Sequence, residues 1–347
     1  MKYGSNLIIV EAAMKKLIRI PEDVELPLIG CIAFGLIDRG TNLIQVRPIS
    51  GCNLNCIYCS VDEGPNSKTR ISSFIVNLDY LIEWFRALAA FKQNENIEAH
   101  IDGAGEPTLH PKFKEIVAKL AEVKNVKVIS VQTNGTLLKE KWIDELAEVG
   151  LSRINLSINA LNEENAKKIS GMENYNIKGI IKLAEAVAQS SISLLLAPVW
   201  IPTLNDEEIP KLIEFALKLK SESKWPLIGI QKYEIHPHGR KVPGVKPLAW
   251  KKFYEKLYEW EKKFNLKLKL KPSDFEIIKT KMLPLKFRKS EVVNLKIVSD
   301  GWMKNQAIGV KDGRAITVIG VPESFREKVK VKIIHNKHNI YIGKIIP

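Results

Sequence analysis

Gly51-Cys52-Asn53-Leu54-Asn55-Cys56-Ile57-Tyr58-Cys59-Ser60 holds three of the four cysteines of this 347-residue chain. Clustering of that kind points to a shared ligand. Three thiolates in the pattern Cys-x3-Cys-x2-Cys can reach three corners of a cube, which suits a four-iron cluster whose ligands are normally four cysteines. One iron would then lack a protein ligand, and an open coordination position marks a catalytic metal site rather than a structural one. The same residues leave two other readings open. A zinc knuckle could use Cys56 and Cys59 with two outside ligands, or these two could form a redox pair.

With Tyr58 before the last cysteine, the motif resembles that of the radical S-adenosylmethionine (radical SAM) superfamily. The resemblance implies Cys52, Cys56 and Cys59 as ligands of a single 4Fe-4S cluster, with the open iron chelated by the amino and carboxylate groups of S-adenosylmethionine. It also implies cleavage to methionine and a 5'-deoxyadenosyl radical. A second stretch, Asp102-Gly103-Ala104-Gly105-Glu106-Pro107, resembles the superfamily's Gly-Gly-Glu-Pro motif, with Ala104 in place of the first glycine. Gly105 and Glu106 would meet the cofactor's amino group. Thr133 and Asn134, in Gln132-Thr133-Asn134-Gly135, match a turn of relatives of the molybdenum-cofactor enzyme. Ser157 and Asn159, two apart on a strand and so on one face, would contact ribose and carboxylate, and Tyr58 completes the expected cofactor set.

Outward from these motifs the chain alternates strand and helix. Period-two or β-branched runs at 41–48, 97–102, 126–133, 153–158, 191–200 and 227–235 are each followed by a helical pattern, at 77–91, 111–123, 140–149, 176–189, 206–219 and 250–264. Six such pairs argue for a parallel sheet with helices outside, and the motif-bearing loops all follow strands. Periodicity alone permits a doubly wound sheet equally. The resemblance implies a partial (β/α)6 TIM-type barrel over 41–266, after a lead-in at 1–40 whose apolar run 26–37 reads as buried.

Past a basic alternating stretch at 267–271, expected as a strand, and a connector to 291, the composition changes. Five short β-rich runs at 292–298, 303–310, 314–318, 328–334 and 339–345, punctuated by glycine, suggest a small antiparallel barrel over 292–347. This stretch resembles a TRAM domain, a barrel that binds RNA. From residue 286 onward 13 Lys and Arg face 5 Asp and Glu, a net +8. Such charge could track phosphates while aromatic rings stack bases. Trp302, Lys304, Lys328, Lys330 and Lys332 are the expected RNA contacts, with Phe325 and Tyr341 as further rings.

The whole chain carries a net charge of +14, an argument about polyanionic partners rather than fold. Heat-adapted composition explains such a balance as well. Cys31 has no partner for a disulfide, so a reducing, cytoplasmic setting is expected; no targeting or membrane segment is evident. His100 reads as a core histidine, and the His236-x-His238 pair offers too few ligands for a metal.

Too few cysteines remain for an auxiliary cluster, which disfavours sulfur insertion and two-cysteine methyl transfer. What remains is hydrogen abstraction followed by rearrangement, cyclisation or ligation, fed by a low-potential donor such as a ferredoxin. The reading is a radical SAM enzyme acting on a nucleoside in tRNA. Its rivals are the same chemistry on a small nucleotide or peptide, and a non-catalytic zinc-containing RNA-binding protein.

Overall fold

The structure, a computed structural model, describes residues 15–219 and 223–346. Four strands precede the first helix: β1 (Lys16–Ile20), β2 (Gly35–Asp38), β3 (Leu43–Arg47) and β4 (Ser72–Val76), then α1 (Leu78–Lys92). There follow β5 (Ile97–Ile101), α2 (Phe113–Ala121), β6 (Val126–Thr133), α3 (Ile143–Glu148), β7 (Arg153–Leu156), α4 (Glu163–Ser170) and α5 (Ile177–Gln189). The series ends with β8 (Ser193–Leu196), β9 (Val199–Trp200), α6 (Glu208–Lys218), β10 (Gln231–Lys232) and α7 (Trp250–Phe264). Strands β3, β5, β6, β7 and β8 run parallel in that order, and β2 closes one side antiparallel to β3. At the other side Leu196 bridges Ile228, and β9 pairs in parallel with β10. The row therefore has six parallel positions and stays open, as a partial barrel.

Period-two alternation explains why both faces are committed. On β5, β6 and β7 the residues Ile97, Ala99, Ile101, Ile129, Val131, Ile154 and Leu156 join the hydrophobic core. Their neighbours Glu98, His100, Ser130, Gln132, Arg153 and Asn155 take the opposite face. Glu98 and Arg153 are buried as a pair, 2.5 Å apart. Ser130 Oγ donates to Glu98 (2.6 Å) and so accepts from His100 Nδ1 (2.7 Å). Burial of charge is tolerable only with such pairing. His100 is thus a satisfied histidine, as expected.

Helix α4 had no counterpart in the periodicity, because Ala166 and Ile169 are its only buried apolar side chains. Its signals are the caps: Asn162 Oδ1 accepts from Asn165 N (3.0 Å), and Gly171 takes φ 66°. The strand expected at 267–271 does not form. There the Glu261 carboxylate accepts from Leu268 N and Lys269 N, and Asp274 accepts from Lys271 N, so side chains take the backbone donors a ladder would use. The chain instead straps back along β2 and β3, with Asn42 N donating to Ile278 O (3.0 Å) and Leu283 N to Asp38 Oδ2 (2.8 Å). Beneath the strap Lys92 and Asp38 form a buried ion pair at 2.6 Å.

The C-terminal strands β11 (Val292–Asp300), β12 (Gln306–Lys311), β13 (Arg314–Ile319), β14 (Lys328–His335) and β15 (Ile342–Ile345) close a barrel in the order β11-β12-β13-β15-β14. One correction applies to the expected antiparallel barrel: β15 is parallel to β13. It inserts between β13 and β14, which run oppositely, so it must run parallel to one of them. The interior is apolar, from Val293, Leu295 and Ile297 to Val331 and Ile333.

The lead-in is structural. Leu26, Leu28 and Phe34 are fully buried, and Ile29 and Gly30 reach the small barrel. Ile29 O accepts from Ala315 N (2.9 Å) and Gly30 O from Tyr341 N (2.8 Å). A side chain at Gly30 would lie 1.9 Å from Ala315 O, at φ +128°. The apolar stretch at 7–10 lies outside the described residues. Among the described residues no helix is long and apolar enough to cross a membrane.

Candidate active site

The cysteine loop begins beyond the C-terminal end of β3 and is gripped from three sides. Glu106 N donates to Gly51 O (2.7 Å), an approach so close that a Cβ on Gly105 would lie 1.9 Å from that oxygen. The last turn of α4 supplies Ser170 O and Ile169 O to Asn55 N and Ile57 N, both at 3.1 Å. Arg240, beyond β10, provides the third grip. Its backbone N donates to Cys59 O (2.8 Å), its Nη1 to Cys56 O (3.0 Å) and its Nη2 to Glu63 O (2.8 Å), while Nε pairs with Asp62 at 2.7 Å. Sequence reasoning missed Arg240, and no motif could have flagged a side chain that works through carbonyl oxygens.

All four cysteines are free thiols. Burial pushes the Cys52 thiol well up, and the charges of Cys56, Cys59 and Glu106 raise it further. Cys56 is pushed up to about 12 by burial and by Cys59, with Arg240 opposing. The three sulfurs therefore sense one another, yet among the described residues no three His, Cys, Asp or Glu side chains converge as ligands of a single metal ion. Buried thiolates need positive charge beside them. A polynuclear iron-sulfur group supplies that charge, and an all-sulfur donor set suits it.

Around the loop the expected cofactor residues divide into two sets. Tyr58, Asn134, Ser157 and Asn159 line a small cleft with Cys56 and Tyr175. Asn159 Nδ2 donates to Tyr58 Oη (2.8 Å), and Ser157 Oγ accepts from Gln132 Nε2 (2.8 Å). Burial raises the Tyr58 phenol far above its ordinary pKa, so it stays neutral. Glu106 and Thr133 are buried struts behind that cleft. The Glu106 carboxylate accepts from Thr108 Oγ1 (2.5 Å), Thr133 Oγ1 (2.6 Å) and Asn134 N (2.7 Å), and burial raises its pKa. Asn134 Nδ2 in turn donates to Asn53 Oδ1 (3.0 Å), tying this turn to the cysteine loop.

A family model described as the radical SAM superfamily matches residues 46–216, the span that carries this geometry. The chain belongs to the radical SAM superfamily. An uncharacterized protein of Methanocaldococcus jannaschii is 44% identical over 353 residues, covering 96% of this chain and 81% of that one. A GTP 3',8-cyclase of Chlorobaculum tepidum is 26% identical over 178 residues, covering 51% of this chain and 50% of its own; the chain thus spans about half the length of that relative. Among solved structures, Streptococcus suis SuiB bound to S-adenosylmethionine is 21% identical with a TM-score of 0.48, covering 65% of this chain and 48% of that one.

Enzymes of this superfamily use a 4Fe-4S cluster and S-adenosylmethionine and need an electron donor. Such a cluster, when bound, would supply one-electron chemistry to the cofactor beside it. Cys52, Cys56 and Cys59 would hold it, on a loop whose partners prevent drift.

Next to the cleft the radical SAM core opens a cavity of about 510 Å³ lined by Tyr58, His100, Gln132, Ser157, Lys232 and Glu234 among others. It sits at the strands' C-terminal ends, where such barrels do chemistry. Burial lowers the His100 pKa, leaving the ring neutral. Asp102 is held by Arg47 (3.1 Å) and Gln45 (2.6 Å). Lys232 pairs with Glu234, two residues on within the expected strand. That same-face charge pair is the signal that could have marked a polar cavity wall.

The small barrel touches the radical SAM core beside the cluster loop. Trp302 Nε1 donates to Glu63 Oε1 (2.7 Å), and Arg70 stacks on its ring at 3.8 Å. Glu63 also pairs with Lys15 at 2.6 Å. Trp302 is 5% exposed and Tyr341 fully buried, which corrects the expectation of both as open stacking surfaces: their rings are spent on the domain contact and the barrel core. Lys304, Lys328, Lys330 and Lys332 are exposed.

Proposed function

We propose that this radical SAM enzyme modifies a nucleoside within a structured RNA, with tRNA as the substrate, and that the TRAM-like barrel at 292–347 holds the RNA. One observation carries the reading. On the outer face of the small barrel, Lys328, Lys330 and Lys332 of β14 are flanked by Lys296 of β11 and Lys344 of β15, paired Lys296↔Lys328 and Lys332↔Lys344. Five like charges on one sheet face repel one another, and a polyanion relieves that repulsion. The barrel carrying them abuts the cluster loop through Trp302 and Glu63.

At the cofactor, Ser157 and Asn159 present polar atoms to ribose and carboxylate, and the backbone at Gly105 meets the amino group. Arg47, Asp102, Lys232 and Glu234 fix the polar wall against which a base is oriented, so that the target C–H faces the cleft. With only Cys31 beyond the three ligands, the reaction is hydrogen abstraction followed by rearrangement, cyclisation or ligation. A ferredoxin-like protein is the proposed donor.

The match to a GTP 3',8-cyclase favours a second reading, a free nucleotide as substrate. Affinity for tRNA against salt separates the two. Engagement of five lysines predicts a log–log slope of about −3.5 to −4.5, whereas a free-nucleotide enzyme shows no saturable tRNA binding. Mass spectrometry of tRNA nucleosides from cells with and without this chain then identifies the product.

A further inference from the structure

Between the two barrels lies an apolar groove of about 340 Å³ that the reaction cavity does not account for. One wall is Val61 and Cys31; the other is the small barrel, with Met303, Ile319, Ile334 and Ile342. Ser60 and His236 line both this groove and the cavity, so the two adjoin. The lysine rows start one rung away. Lys344 pairs with Ile319 on one side and Lys332 on the other, while Ile342 lies two residues before Lys344 on the same outer face. From there Lys332, Lys330 and Lys328 recede in steps of about 7 Å. Ile334, at the groove end of the row, is 38% exposed.

An apolar slot at the end of a row of cations matches an unpaired nucleotide: phosphates take the cations, and the face of a base takes the slot. A base stacked within a duplex has its faces covered by its neighbours.

We infer that this groove admits an unpaired stretch of the RNA substrate, with phosphates along Lys328, Lys330, Lys332 and Lys344, a base against Met303, Ile334 and Ile342, and the next nucleotide passing His236 into the cavity. The inference rests on the RNA reading above and adds the route to it.

Full-length reconstituted enzyme is irradiated with bulk tRNA under anaerobic conditions, and crosslinked peptides are mapped by mass spectrometry. Crosslinks at His236, Met303 or within 334–342 are expected; crosslinks confined to the lysine rows overturn the route. Ile334→Asp, a change at an exposed position, provides a second arm. Binding of a single-stranded oligouridylate is expected to weaken about tenfold, with duplex RNA changed by less than about twofold. Equal loss for both, or loss for neither, also overturns the route. Absence of any saturable, salt-sensitive tRNA binding by the unaltered enzyme removes the RNA reading itself, a result distinct from all of these.

Discussion

The two barrels of this chain place their charges in opposite locations. In the open six-position barrel, Glu98, Arg153, Arg47 and Asp102 face inward and pair with one another, while apolar side chains face the surrounding helices. In the closed five-stranded barrel the interior is mainly Val, Leu and Ile, with Phe287 and Tyr341, and Lys296, Lys328, Lys330, Lys332 and Lys344 face out. An open barrel with a polar lining keeps its chemistry inside. A closed one filled with hydrocarbon has only its exterior to offer, so a partner must meet it there.

The sharpest break of this comparison is at the cluster loop. Cys56→Ala is expected to abolish reductive cleavage of S-adenosylmethionine, more than about a thousandfold below the parent, and to lower bound iron. Binding of tRNA by the same variant stays within about twofold, because the lysine face is elsewhere. Deoxyadenosine assays and filter binding read the two halves separately, and an unchanged deoxyadenosine yield would remove the cluster assignment.

Gly105→Ala tests the grip on that loop. The added carbon would lie 1.9 Å from Gly51 O, so the loop must shift, at a cost of about 2 kcal/mol or more. Reconstituted Gly105→Ala should lose iron on desalting where the parent retains it. Arg240→Ala, which removes a charge-assisted contact to Cys56 O, is expected to act in the same direction at about 1.5–3 kcal/mol.

Charge removal compares the barrels directly. Arg153→Met strands a buried carboxylate at Glu98 and should cost about 3–5 kcal/mol in urea unfolding. Lys330→Gln, on the outer face of the small barrel, should change stability by no more than about 0.5 kcal/mol while weakening tRNA binding. Equal costs would mean that the two barrels do not differ as described.

The smallest effect is in pH. Burial holds the His100 and His110 pKa values below the usual 6.5, so the unfolded chain takes up protons that the folded one refuses. Their contribution is full above about pH 6.5 and declines as the pH falls through the lowered values. Glu106 acts in the opposite sense: its raised pKa means a contribution that is lost as the pH rises from 4.5 through the raised value. A thermal melting series from pH 7.5 to 5.5 should therefore show a fall in Tm, shallower in His100→Gln.

Much of this was legible because each signal was local. The run at 126–133 and the helix at 250–264 follow from periodicity alone, and the cysteine spacing marked the site. What escaped was carried by tertiary partners. Helix α4 grips the cysteine loop with two backbone carbonyls and shows almost no apolar stripe. Arg240 reads as one basic residue among 53 Lys and Arg. Trp302 in a basic tail looks like a base-stacking ring until Arg70 and Glu63, more than two hundred residues earlier, are found around it.

The contact of Ile29 and Gly30 with Ala315 and Tyr341 bears on the order of synthesis. Chains fold from the N-terminus as they leave the ribosome, so residue 30 waits for more than three hundred further residues to be translated before Tyr341 exists. Until then the carbonyls at 29 and 30 must remain solvated, and the small barrel completes a seam begun far upstream in the chain.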